Sequence, residues 1–106
     1  MSQIFKGEIY WADLNPTIGS EISNNINNQY ADTVTIVPIT SSTDKIYPFE
    51  VFLPKGEGGL SSDSKAKANQ IRTIDKQRIG GQIGKISDGK LSEIERAILI
   101  HLEINP

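Results

Sequence analysis

The sequence predicts a mainly β fold with one α-helix, an antiparallel sheet or small barrel against which a C-terminal helix packs. Two observations carry that prediction. Between residues 7 and 86 the chain holds short segments rich in β-branched and aromatic residues, broken by Gly, Pro and Asn, with no helices alternating between them. From residue 87 the apolar period changes from that of a strand to that of a helix. A length of 106 residues is near the usual size of one domain, so residues 1–106 are expected to form a single one.

Taken in order, GEIYWADL (7–14) is rich in strand formers and ends at the turn signal Asn15-Pro16. The asparagines Asn24, Asn25, Asn27 and Asn28 read as loop, since Asn-rich sequence makes a poor central strand. DTVTIVPIT (32–40) is a stronger strand, with Val34, Ile36 and Pro38 on one face and Thr33, Thr35 and Val37 on the other. Pro38 has no N–H for a ladder and so marks an edge, a bulge or the strand's end. YPFEVFLP (47–54) places Phe49, Val51 and Leu53 together, and KGEGGLSSDS (55–64) is a Gly/Ser loop.

AKANQIRTI (66–74) alternates poorly, because Ile71 and Ile74 fall on opposite faces. IGGQIGKI (79–86) reads as a short strand with a bulge. In SDGKLSEIERAILIHLEI (87–104), Leu91, Ile94, Ile98 and Leu102 share one helical face. Ser92 with Glu95 has capping-box spacing, and Ser87 is an equally good cap for an earlier start.

Composition narrows the function classes. The chain is 37% hydrophobic and 23% charged, which is ordinary for a globular protein. It contains no run of about 18 apolar residues, and its first residues lack signal-peptide order, so a cytoplasmic protein with no membrane partner is expected. There is no cysteine, which excludes disulfides and thiolate metal sites. The one histidine, His101, sits near the helix end, where a positive charge suits the dipole. Mechanisms needing two histidines, a His/Cys zinc site or a phosphate-binding glycine loop all lose support.

Charge is unevenly distributed. The net charge is −2, yet residues 65–90 carry seven Lys and Arg against two Asp, and the remainder carries four against eleven acids. Such a segment either forms a phosphate-binding face or is a solvated Lys-rich surface. RNA cleavage through the substrate's own 2′-hydroxyl needs few protein groups: one to shuttle a proton, one to position, one to stabilise charge. A carboxylate, a hydroxyl and an arginine suffice. Two of the three arginines, Arg72 and Arg78, lie in NQIRTIDKQR (69–78), which mixes cations with amides and a threonine able to read single-stranded bases.

GEIYWADLNPTIGSE (7–21), TVTIVPIT (33–40), YPFEVFLP (47–54) and NQIRTIDKQR (69–78), followed by a closing helix, resemble in this order the MazF/PemK/Kid family of toxin endoribonucleases. The resemblance implies a small SH3-like barrel of CcdB/PemK type and a homodimer. It further implies sequence-specific cleavage of single-stranded RNA without a cofactor or metal, and a cognate antitoxin whose acidic, flexible tail competes for the RNA groove. It assigns Glu21 to orientation or proton transfer and Thr40 to a hydrogen bond on the scissile phosphate. Ser41, Gln70, Arg72, Thr73, Lys76 and Arg78 are assigned to RNA binding.

The chain departs from the family pattern at Ile22–Ser23. There the family continues into an Arg-Pro pair and a hydrophobic second strand, roughly ten residues that are absent here, and no arginine precedes Arg72. A barrel without that strand is expected to expose an edge, and an inactive relative that binds antitoxin or RNA is the alternative function.

Overall fold

The structure is a computed structural model that describes residues 4–12, 17–21 and 30–105, with the backbone alone for 17–21. Among the described residues seven strands form one antiparallel sheet: β1 (Glu8–Ala12), β2 (Thr17–Glu21), β3 (Thr33–Thr40), β4 (Glu50–Leu53), β5 (Ser64–Lys67), β6 (Arg72–Asp75) and β7 (Ile79–Lys85). Their order is β4-β5-β3-β2-β1-β7, and β6 also pairs with β3. A long helix, α1 (Asp88–Leu102), follows.

Residues 17–21 are a strand, whereas the family resemblance implies a loop after the opening strand. Thr17–Ser20 pair with β1 and Ile18–Glu21 pair with β3. The edge expected to open beside the central strand is thereby filled. A Gly-Ser stretch carries little strand propensity, so pairing on both sides, invisible in the sequence, decides its state. The Ile22–Ser23 junction and the asparagine cluster lie outside the described residues.

β3 organises the sheet. On its second side it carries β6 along Thr33–Ile36 and β5 along Ile39–Thr40. Val37 and Pro38 fall in the gap between these partners, so on that side the proline interrupts no ladder. The same division explains the weak alternation of residues 66–74. A 3-10 turn at Ala68–Gln70 carries the chain from β5 to β6, and Ile71 and Ile74 enter different cores.

Those cores are two. The first joins Val37 and Ile39 to Val51, Leu53, Ile86 and the helical Ile94 and Ala97. The second joins Val34 and Ile36 to Ile4, Tyr10, Ala12 and Ile74. β7 is bulged against β1 as expected, with register shifts on either side of Tyr10. In α1 the cap is Ser87, whose Oγ accepts from the Lys90 N–H at 3.3 Å. Leu91 and Ile98 pack on the first core as expected, but Leu102 is half exposed, and Ala97 completes the buried stripe instead. Among the described residues no helix is long and apolar enough to cross a membrane.

Candidate functional site

Thr40 ends β3, and its side chain is held by the turn that follows. The Ser42 N–H donates to Thr40 Oγ1 at 3.2 Å, an ST-type turn. This uses one acceptor position and leaves the hydroxyl proton available. Thr40 and exposed Ser41 form one wall of a cleft of about 550 Å³. Ser61, Ser62 and Ser64 come from the end of the Gly/Ser loop and the start of β5. Ser64 Oγ donates to the Ser62 carbonyl at 3.0 Å, keeping its own oxygen as an acceptor. Trp11 of β1 and Ile83 of β7 complete the lining with Ile39 and the Gly59–Leu60 turn.

That turn is fixed from two directions. Glu57 accepts from the Ser87 N–H at 2.8 Å, joining the loop to the start of α1, where a negative charge also suits the dipole. Gly58 and Gly59 have positive φ and lie so close to β7 that a Cβ on Gly84 would collide with the Gly58 carbonyl. Glycine is required at that contact because two backbones meet there.

On the other side of Thr40, β5 supplies Lys65 as its direct cross-strand partner. Lys65 is only 9% exposed. Its ammonium donates to Glu50 Oε1 at 3.0 Å and to the Lys45 carbonyl at 2.7 Å. Glu50 Oε1 also accepts from the Tyr47 N–H at 2.9 Å. Burial pushes the Glu50 carboxyl up, but the Tyr47 N–H and the Lys65 ammonium, with Lys67 adding to them, outweigh it and hold the carboxyl below its ordinary value. Tyr47 stacks on Phe49 with centroids 5.3 Å apart, and Lys45 Nζ lies 4.8 Å from the Tyr47 centroid. The loop leaving Thr40 is therefore tied down from residue 45 to residue 50.

The remaining expected site residues form a second group. Gln70 is exposed at the end of the 3-10 turn, and its carbonyl accepts from Arg72 Nε at 3.5 Å. Thr73 pairs with Thr35, their hydroxyl oxygens 3.2 Å apart. Lys76 and Arg78 lie in a 3-10 turn begun by Asp75, which accepts from the Gln77 N–H at 2.9 Å. Arg72 is aligned with Ile36 on β3, so this strip lies about 13 Å along the strand from Thr40. Glu21 is aligned with the same Ile36 from the opposite side. Its backbone is thus about 10 Å from that of Arg72, two strand spacings away.

Thr40 and Ser41 are brought together, as are Gln70, Arg72, Thr73, Lys76 and Arg78, but the two groups are not joined. Nor do the seven cations of residues 65–90 make one face. Lys65 is paired with Glu50, Lys90 with Glu93 at 3.2 Å, and the others are spread over β5, β6, β7 and their turns. Trp11, the serines of 61–64 and the Lys65–Glu50 pair adjoin Thr40 without having been expected there. The serines had a signal, a hydroxyl run directly after the glycines of the loop. Trp11 had none, because exposure of a strand residue depends on its partner strand.

Comparison with known proteins fits this architecture. The family model described as PemK-like, MazF-like toxin of type II toxin-antitoxin system matches residues 5–102. The chain is 36% identical to endoribonuclease MazF9 of Mycobacterium tuberculosis over 113 residues, covering 93% of this chain and 96% of that one. It is 35% identical to endoribonuclease MazF of Staphylococcus epidermidis over 112 residues, covering 96% and 93%. Both matched lengths exceed the 106 residues of this chain, so each relative carries residues with no counterpart here. An endoribonuclease from a mycobacterial species, solved with its cognate antitoxin, superposes with a TM-score of 0.84 at 21% identity, covering 100% and 99%. A match this long, at this identity and on this sheet, shows that the chain belongs to the PemK-like, MazF-like toxin family of type II toxin–antitoxin systems.

Proposed function

We propose that the protein is an endoribonuclease toxin that cuts single-stranded RNA at a short sequence, without a metal ion, using the substrate's 2′-hydroxyl as nucleophile. The observation that carries this reading is the identity of more than a third to a named endoribonuclease along nearly the whole chain. The Thr40 hydroxyl, with its proton free to donate beside an open cleft, supports it.

In the reaction the 2′-oxygen attacks phosphorus, its proton is withdrawn, and the bond from phosphorus to the 5′-oxygen breaks as that oxygen takes up a proton. The products are a 2′,3′-cyclic phosphate and a 5′-hydroxyl. Thr40 donates to a non-bridging phosphate oxygen, where negative charge grows in the transition state. Glu21 handles the proton, and Ser41, Gln70, Arg72, Thr73, Lys76 and Arg78 bind the RNA strand. Arginine suits the phosphates because its planar fork matches two oxygens at once.

The protein works in the cytoplasm as a homodimer and is restrained by a cognate antitoxin with an acidic, flexible tail. The exposed Arg72 and Arg78 of the β6 strip suit either ligand, because both are polyanions. The absence of an arginine before Arg72 is the ground for a second reading, an inactive relative that binds without cutting, which the identity to named endoribonucleases does not favour. Incubation of the purified chain with a single-stranded RNA library in EDTA separates the two. Cleavage abolished by Thr40→Ala supports the nuclease. Binding with no cleavage at any enzyme concentration rejects it in favour of the second reading.

A further inference from the structure

The cleft beside Thr40 differs in chemistry from the rest of the expected RNA surface. Among the described residues that line it, none is charged. It offers hydroxyls and one large aromatic ring. A phosphate would find no cation in it, whereas a flat, neutral heteroaromatic ring with polar edges would find both stacking and hydrogen bonds.

Trp11 supplies the ring, and the fold leaves it uncovered. It is 52% exposed, unusual for a residue that buries so much apolar surface when packed. The reason lies in β7. Tyr10 is aligned with Gln82 and Ala12 with Ile79, so the residues facing Trp11 across the bulge are Gly80 and Gly81. A Cβ on Gly80 would press on the Trp11 backbone and Cβ, and one on Gly81 would meet nothing within 4 Å. β7 has no side chain at either position to lie over the indole, and on the other side Trp11 is aligned with Ile18 of β2. The same cleft is lined by Ser41, Ser61 and Ser62, all exposed, and by the buried Ser64.

We propose that this uncharged cleft is a nucleobase subsite in which the Trp11 indole stacks on one base of the RNA strand, next to the phosphate that Thr40 contacts. The inference rests on the endoribonuclease reading and adds to it the residue that holds a base and sets preference at one position. Stacking gives affinity with little discrimination, since every base has a π-face. The serine hydroxyls, each both donor and acceptor, meet the base edge.

Trp11 is the only tryptophan of the chain, so its emission reports on this subsite alone. The test titrates the intact protein with a single-stranded oligonucleotide that carries 2′-deoxy residues, cannot be cut, and bears a terminal dye for anisotropy. Tryptophan emission is expected to be quenched over the same concentration range in which anisotropy rises. In a series with one abasic residue moved along the strand, a single position should remove the quenching while anisotropy still saturates. Trp11→Phe should keep the affinity, and Trp11→Leu should weaken it about tenfold. On a cleavable library, Trp11→Leu should relax base preference at one position.

Anisotropy that saturates with unchanged emission overturns the proposal, as does equal quenching by every abasic strand. Emission that is already blue-shifted and shielded from acrylamide in the free protein also overturns it, because the indole is then covered by a second copy. If anisotropy does not rise at all, the RNA-binding reading falls and the subsite falls with it.

Discussion

At the residue scale, Thr40 and the Lys65–Glu50 pair divide two tasks between neighbouring positions. Thr40→Ala should lower single-turnover RNA cleavage by about 10²-fold or more, the usual effect of removing one donor to a developing charge. Loss of its bond to Ser42 should cost only about 1 kcal/mol of stability, and Thr40→Ser should retain most activity. Lys65, although the cross-strand partner of Thr40, spends its ammonium on Glu50 and Lys45 and so positions the loop. Glu50→Gln leaves a buried cation with weakened compensation and should destabilise by about 3 kcal/mol, whereas Glu50→Leu with Lys65→Met should recover much of that.

The Glu50 carboxyl titrates lower folded than its ordinary value of 4.5. Its contribution is therefore present above that value and lost as pH falls through the lower folded one. Denaturation measured from pH 6 to pH 3 should show a steeper acid limb in the natural protein than in Glu50→Gln. None of this pair was legible in the sequence. Glu50 and Lys65 sit 15 positions apart beside apolar neighbours, and only strand pairing shows that the charges meet.

At the scale of elements, legibility followed locality. α1 was readable because its period, its cap and its apolar stripe all lie within one stretch of chain. β3 and β4 were readable by alternation. β2 was not, since its strand state comes from β1 and β3 rather than from TIGSE. The path from β5 to β6 was equally hidden, because two short strands share one side of β3 and the turn between them breaks the alternation.

The end of α1 carries a local cost. Glu103 adopts φ 55°, and the Glu103 and Ile104 N–H groups close a Schellman motif on the Ile100 and Leu99 carbonyls. A left-handed conformation disfavours a residue with a Cβ by about 1 kcal/mol or more relative to glycine. Glu103→Gly should raise stability by about 1 kcal/mol, read as a Tm increase of a few degrees with cleavage unchanged.

At the scale of the whole molecule, the helix ends in an apolar surface. Ile100, Leu102 and Ile104 are each about half exposed. A homodimer that covers them should show one mass in light scattering across a wide concentration range. Ile104→Glu should shift that mass towards the monomer at low concentration; a mass unaffected by the substitution would place the contact elsewhere.

The cleft also has a place in time. Its lining is drawn from Trp11, Thr40, the Gly59–Leu60 turn and Ile83, and that turn is tethered through Glu57 to Ser87. Chains emerge from the ribosome N-terminus first. A nascent protein that has exposed Thr40 still lacks β7, the tether and the helix, and so has no cleft. The cleft is complete only once Ile83 of β7 and Ser87 at the start of α1 have been made.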